Sequence, residues 1–254
     1  MSGFAAEQDG AEVRVSANFG PRRDGKRPDM IILHYTGMRT GAEAEAWLCD
    51  PASEVSSHYL VHEDGRIVQM VREADRAWHA GKSSWQGETD VNSRSIGIEI
   101  VNTGHGLGYE EFPEGQIDAV TALCRAISRR HAILPERLLA HSDVAPGRKI
   151  DPGEKFPWRR LAAAGIAHFV EPSPLCAGNS LALGAYGGPV EEVQSMLEIY
   201  GYGIEISGRF DQLTRNVVEA FQRHFRPERV DGIADRSTVD MLSRLLDALP
   251  RRDS

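Results

Sequence analysis

MIILH, Met30 to His34, is a short run of apolar residues that ends in a histidine. Without any polar alternation it reads as a strand buried within a sheet. Working outward, SIGIEIVN (95–102) is a second strand and RLLAH (137–141) a third, short one that again ends in a histidine. SHYLVH (57–62) and RIVQMV (66–71) flank Glu63-Asp64-Gly65, and Asp-Gly between β-rich runs signals a hairpin. Between these lie helical stretches. AEAEAWLC (42–49) stops before Asp50-Pro51, and QIDAVTALCRAISRRH (116–131) spaces Ile117, Val120, Leu123, Cys124 and Ile127 along one face. Strands and helices alternate without a strict βαβ rhythm, and one hairpin interrupts them. The expected class is α/β, a mixed central β-sheet flanked by helices.

The bulk composition narrows the function. A net charge of -8 disfavours nucleic acid or an anionic membrane as the main partner, since both call for clustered Lys and Arg. No run approaches the roughly 18 apolar residues of a membrane span. No basic segment followed by an apolar stretch opens the chain, so a cytoplasmic protein is expected, with a periplasmic one as the alternative. Cys49, Cys124 and Cys176 are odd in number and outside any CxxC pairing, which points to incidental thiols. Histidine is the unusual count: seven of nine lie between His34 and His141.

Composition shifts after residue 165, where Pro172, Pro174, Gly178, Gly184, Gly187 and Gly188 accumulate. The expected division is an N-terminal arm over 1–27, a catalytic domain over 28–165, a linker over 166–187 and a small three-helix domain over 188–250. In that last part GRFDQLT (208–214) and DGIADRST (231–238) repeat a Gly, Asp, Thr pattern at a 24-residue period. Asp211 and Asp235 are placed to cap the helices that follow them.

Sheet enzymes place their sites just beyond strand ends, and His34 and His141 both stand there. If their strands are neighbours, both imidazoles reach one point. HSDVAPGRKIDPGEKFPW (141–158) continues from His141 through Pro146, Gly147, Pro152 and Gly153, which exclude a regular element, so tertiary contacts or a bound ion must order it. Asp151 in that segment can complete a His2Asp set that leaves a fourth position for water, the ligand count of a catalytic zinc. Spacing alone leaves open that each histidine is a hydrogen-bonded packing residue.

IILHYTG, SSHYLVHEDG, AWHAGKSSW, NSRSIGIEIVN and HSDVAPGRKIDPGEKFPW resemble, in order and spacing, the zinc-dependent N-acetylmuramoyl-L-alanine amidases of the AmpD/AmiD type, which are related to peptidoglycan recognition proteins. The resemblance covers about residues 28 to 165. It implies one catalytic Zn2+ held by His34, His141 and Asp151, and hydrolysis of the amide between N-acetylmuramic acid, or its 1,6-anhydro form, and L-alanine of the stem peptide. It also implies Glu99 as base and Lys149 as stabiliser of the oxyanion. Strand alternation agrees for Glu99: Ile96, Ile98 and Ile100 share one face, and Ser95, Gly97 and Glu99 the other. His79, Trp78 and Arg148 are candidates for lining the substrate cleft. His58 reads as a buried, hydrogen-bonded histidine.

The C-terminal helices resemble the small peptidoglycan-binding domain often appended to wall hydrolases, which would raise local substrate concentration. The partner expected is therefore peptidoglycan or a muropeptide, and the protein is expected to be a monomer. A non-catalytic peptidoglycan recognition protein is the alternative, disfavoured because all three presumptive ligands, Glu99 and Lys149 are retained.

Overall fold

The computed structural model describes residues 4–175, 178 and 180–250, so the thiol of Cys176 and part of the expected linker lie outside the described residues. The strands are β1 (Glu12–Val13), β2 (Phe19–Pro21), β3 (Met30–Tyr35), β4 (Tyr59–Val61), β5 (Ile67–Gln69), β6 (Asp75–Ala77), β7 (Ser95–Ile100) and β8 (Leu138–Ala140). The α-helices are α1 (Gly41–Cys49), α2 (Val91–Arg94), α3 (Glu114–His131), α4 (His141–Val144), α5 (Trp158–Ala163), α6 (Gly188–Tyr200), α7 (Gln212–Phe225) and α8 (Arg236–Asp247).

Six strands form one mixed sheet in the order β1-β5-β4-β7-β3-β8, and β2 pairs with β6 in a second, two-stranded sheet. MIILHY is an interior strand, parallel to β7 on one side and β8 on the other, which is why it carries no polar residue before His34. The hairpin forms where Asp-Gly stands: β4 and β5 pair antiparallel, and Gly65 takes φ +87°, a conformation that favours glycine.

Alternation along the strands sorts the core. Ile31, Leu33, Ile96, Ile98 and Ile100 pack under the apolar stripe of α3 with Leu161 of α5. On another part of the sheet Leu60 and Val68 meet Ala44 and Leu48 of α1. Met30, Ile32, Leu139 and Val144 join a cluster that continues into Val190, Val217, Phe221 and Leu245 of the C-terminal helices.

Two sequence expectations need revision. Residues 1–27 were expected as an arm, but Glu12 and Val13 add a parallel edge strand beside β5, and the buried Arg22 donates to the carbonyl oxygens of Asn92, Ser93 and Ser95. That segment is sewn into the sheet by backbone pairing, which composition does not reveal. The segment after β8 was expected to hold no regular element, yet residues 141–144 make one helical turn. The reason is local. Asp143 accepts from the amide of Ala140 at 2.8 Å, capping the turn, and Pro146 lies beyond it.

In the C-terminal part, Asp211 and Asp235 each accept from a threonine amide three residues on, both at 2.8 Å, as the repeat predicts. The repeat goes further than the sequence reading found. Gln194 accepts from the amides of Ser207 and Gly208, and Gln222 from those of Asp231 and Gly232, so one buried glutamine braces each capping loop. Among the described residues no helix is long and apolar enough to cross a membrane.

Candidate active site

Parallel pairing of β3 with β8 sets Leu33 opposite Ala140, so the next residues, His34 still within β3 and His141 just beyond β8, stand side by side. The following loop folds back, with the amide of Ser142 donating to the carbonyl of Asp151 at 3.0 Å. Three side-chain atoms converge there: the Nδ1 atoms of His34 and His141 are 2.8 Å apart, and Asp151 Oδ2 lies 3.2 and 2.9 Å from them. All three residues are buried.

The other ring nitrogens determine what this triangle can hold. His141 Nε2 donates to the carbonyl of Ala80 at 3.1 Å. His34 Nε2 donates to His79 Nδ1 at 3.0 Å, His79 Nε2 donates to Ser95 Oγ at 3.2 Å, and Ser95 passes its own proton to the carbonyl of Val91 at 2.7 Å. Burial, with His141 beside it, holds the pKa of His34 down to about 4, and burial, with His34 beside it, holds that of His79 well below the usual range. Both rings are therefore neutral near pH 7, with their protons committed away from the triangle. His34 then turns a lone pair toward Nδ1 of His141 and the carboxylate oxygen of Asp151, three possible ligand atoms that a cation would hold together. Donor atoms around a tetrahedral ion with bonds of roughly 2.0–2.1 Å stand about 3.3 Å apart, close to the spacing here. The residues fit a metal ion.

The triangle opens onto a cleft of about 330 Å³. Glu99 sits on β7 in register with His34, and its Oε2 is buried without a hydrogen-bond partner. Burial, with Asp151 nearby, raises its pKa well above the usual carboxylate range. Lys149 lines the same cleft, and an apolar wall of Met38, Trp47, Leu48 and Trp78 stands beside them.

The other candidates divide. Trp78 lines the cleft. His79 borders it too, but its ring nitrogens are both engaged behind His34. Arg148 spends its guanidinium on the carbonyls of Ala80 and Lys82, bracing the loop after β6 whose Ala80 carbonyl also accepts from His141. His58 is buried and accepts from the amide of Gly97 at 2.9 Å, as expected of a packing histidine. Trp47, 48% exposed, escaped the sequence reading. Its position on α1 within AEAEAWLC gave an aromatic at helical spacing, but nothing that showed the helix bordering the cleft.

Gly97 makes room for this arrangement. A Cβ there would stand 2.4 Å from Cγ of His79, whose ring is fixed between His34 and Ser95. Gly97→Ala should displace His79, cost about 1–3 kcal/mol of stability by overpacking and lower metal affinity about 10–100-fold by removing the partner of His34. Thermal denaturation and metal titration of the variant check both.

The comparisons with known proteins agree with this geometry. Residues 24–154 match the family described as N-acetylmuramoyl-L-alanine amidase, and residues 186–242 match a peptidoglycan binding domain family. The chain is 39% identical over 236 residues to the N-acetylmuramoyl-L-alanine amidase AmiD of Escherichia coli, covering 87% of this chain and 83% of that protein. It is 34% identical over 169 residues to the 1,6-anhydro-N-acetylmuramyl-L-alanine amidase AmpD of the same species, covering 60% of this chain and 90% of that one. Among solved structures, E. coli AmiD in complex with anhydro-N-acetylmuramic acid-L-Ala-D-gamma-Glu-L-Lys is similar at a TM-score of 0.74 and 35% identity, covering 92% of each chain. AmpDh3 of Pseudomonas aeruginosa with an anhydromuramic pentapeptide is similar at a TM-score of 0.73 and 30% identity, covering 93% of this chain and 96% of that one. With a metal-ready triangle of His34, His141 and Asp151 at the centre of a matching fold, the chain belongs to the N-acetylmuramoyl-L-alanine amidase family.

Proposed function

We propose that this amidase cleaves the amide between the lactyl group of N-acetylmuramic acid, or its 1,6-anhydro form, and L-alanine of the stem peptide, with zinc held by His34, His141 and Asp151. The observation that carries the reading is the convergence of three lone-pair donors beside an unpartnered, buried carboxylate oxygen of Glu99. When bound, zinc supplies a Lewis acid for the carbonyl oxygen and acidifies water at neutral pH. Glu99, with its raised pKa, takes a proton from the water whose oxygen attacks the carbonyl carbon. It returns that proton to the alanine nitrogen as the C–N bond breaks, leaving a lactyl carboxylic acid and a free amine, which pass on to carboxylate and ammonium at neutral pH. Lys149 offsets the negative charge that develops on the carbonyl oxygen. Trp47 and Trp78 give the sugar and lactyl methyl an apolar wall.

The catalytic part is assigned to residues 28–165 and a wall-binding part to 188–250, supported by the two family matches. The test is incubation of the purified protein with intact sacculi and with anhydro-muropeptides, with and without a chelator, and identification of the released peptide by mass. Release of stem peptides beginning with L-alanine, abolished by the chelator and restored by zinc, is the expected result. Release from neither substrate by zinc-loaded protein would overturn the reading.

A further inference from the structure

The C-terminal helices reach the metal centre through one face of α7. Asp143, two residues beyond His141, is fully buried. Its Oδ2 accepts from the amide of Ala140 at 2.8 Å and from Nδ1 of His224 at 2.7 Å, and its Oδ1 accepts from the hydroxyl of Tyr202 at 2.7 Å. His224 is clamped in turn, stacked on Trp158 with ring centroids 3.7 Å apart. Eight residues earlier on α7, two turns away, Asn216 lies against Gly147 so closely that a Cβ there would meet its Nδ2 at 2.2 Å. Arg223 pairs with Glu154 at 3.5 Å between Nε and Oε2. These contacts bracket residues 143–154, the segment that supplies Lys149 and Asp151 and follows directly on His141. Trp85, buried against Tyr200 and Tyr202 at centroid distances of 6.1 and 5.0 Å, fixes the two parts relative to each other.

We infer that His224, with Tyr202, is a positioning residue of the metal centre: by holding Asp143 it sets the helical turn that aims His141 at the ion. The inference rests on the ligand assignment proposed above. Its physical basis is that Asp143 is a buried acceptor whose partners other than Ala140 come from the C-terminal part, His224 on α7 and Tyr202 just after α6. When His224 is truncated, Oδ2 keeps only the amide of Ala140 and Oδ1 only Tyr202, so the carboxylate that caps the one-turn α4 is held less firmly in place. A ligand misplaced by a fraction of an ångström loses affinity, and partners one step behind a metal ligand typically govern it by 10–100-fold.

The experiment measures the zinc dissociation constant of the full chain by competition with a chromophoric chelator, for wild type, His224→Ala, His224→Asn and Met241→Ala. His224→Ala should bind zinc about 10–100-fold more weakly, with kcat reduced and KM little changed. His224→Asn, which keeps a donor near the Nδ1 position, should recover most of both. Met241, buried on α8 among apolar side chains, serves as the control for general destabilisation. Its truncation should lower the melting temperature at least as much as His224→Ala yet leave zinc affinity unchanged. Wild-type affinity in His224→Ala, or equal weakening in Met241→Ala, overturns the inference while leaving the ligand assignment intact. Failure of the wild type itself to bind zinc would overturn both.

Discussion

Asp151→Ala is expected to release the metal and abolish amide cleavage, with activity falling by about a thousandfold or more, beyond the 10–100-fold typical of residues one step removed from a metal. The geometry explains the size. Asp151 supplies the negative charge of the triangle, and its Oδ2 lies within 3.2 Å of both imidazole Nδ1 atoms. Without it only the two imidazole nitrogens remain, 2.8 Å apart, two ligands where a catalytic zinc takes three from protein. Folding should survive, because the loop is also held through its backbone, where the carbonyl of Asp151 accepts from Ser142. Metal content after dialysis, circular dichroism and peptide release distinguish loss of the ion from loss of the fold. Full activity in this variant would refute the ligand assignment.

Glu99→Gln separates the base from the metal. The substitution preserves side-chain shape and removes proton-accepting ability, so kcat should fall by about 10²–10⁴-fold while bound metal stays near one equivalent. Stability should not drop. Glu99 Oε2 has no hydrogen-bond partner to lose, and replacing a carboxylate whose pKa burial has raised with a neutral amide removes a desolvation cost. A variant that keeps metal and melts no lower than wild type yet turns over slowly is thus the signature of a base. Wild-type kcat would exclude that role for Glu99. Asp151→Ala and Glu99→Gln therefore fail in opposite ways, one losing its ion and the other keeping it.

What the sequence disclosed, and what it withheld, follows from how far apart the interacting residues lie. MIILH and SIGIEIVN announce buried strands because pattern within a strand is local, and alternation in SIGIEIV correctly separates the isoleucines that meet α3 from the Glu99 side that faces the cleft. Histidines at two strand ends suggested a shared site, and the β3–β8 pairing brings them together. The five motifs carried the family. The helical turn at 141–144 was missed because its cap is an aspartate three residues after the residue it caps, not the usual one before. The edge strand at residues 12 and 13 was missed because its partner, β5, lies more than fifty residues on and the pairing is between backbones. His224 and Trp85 gave no sign of their roles for the same reason: each acts on residues in the other part of the chain.

The place of β8 in the sheet has a consequence for how the protein comes into being. It is an edge strand, added beside β3 after every other strand of the sheet has been synthesised. A nascent chain can assemble β1 to β7 while β3 still presents an unpaired border, apolar from Met30 to Leu33, the kind of surface that invites mispairing until it is covered. Docking of β8 closes that border and delivers the second imidazole in one event. Translation must then run on to residue 224 before Asp143 acquires its partner on α7. All three candidate ligands are thus in the chain by residue 151, while the carboxylate beside them is braced from α7 only later.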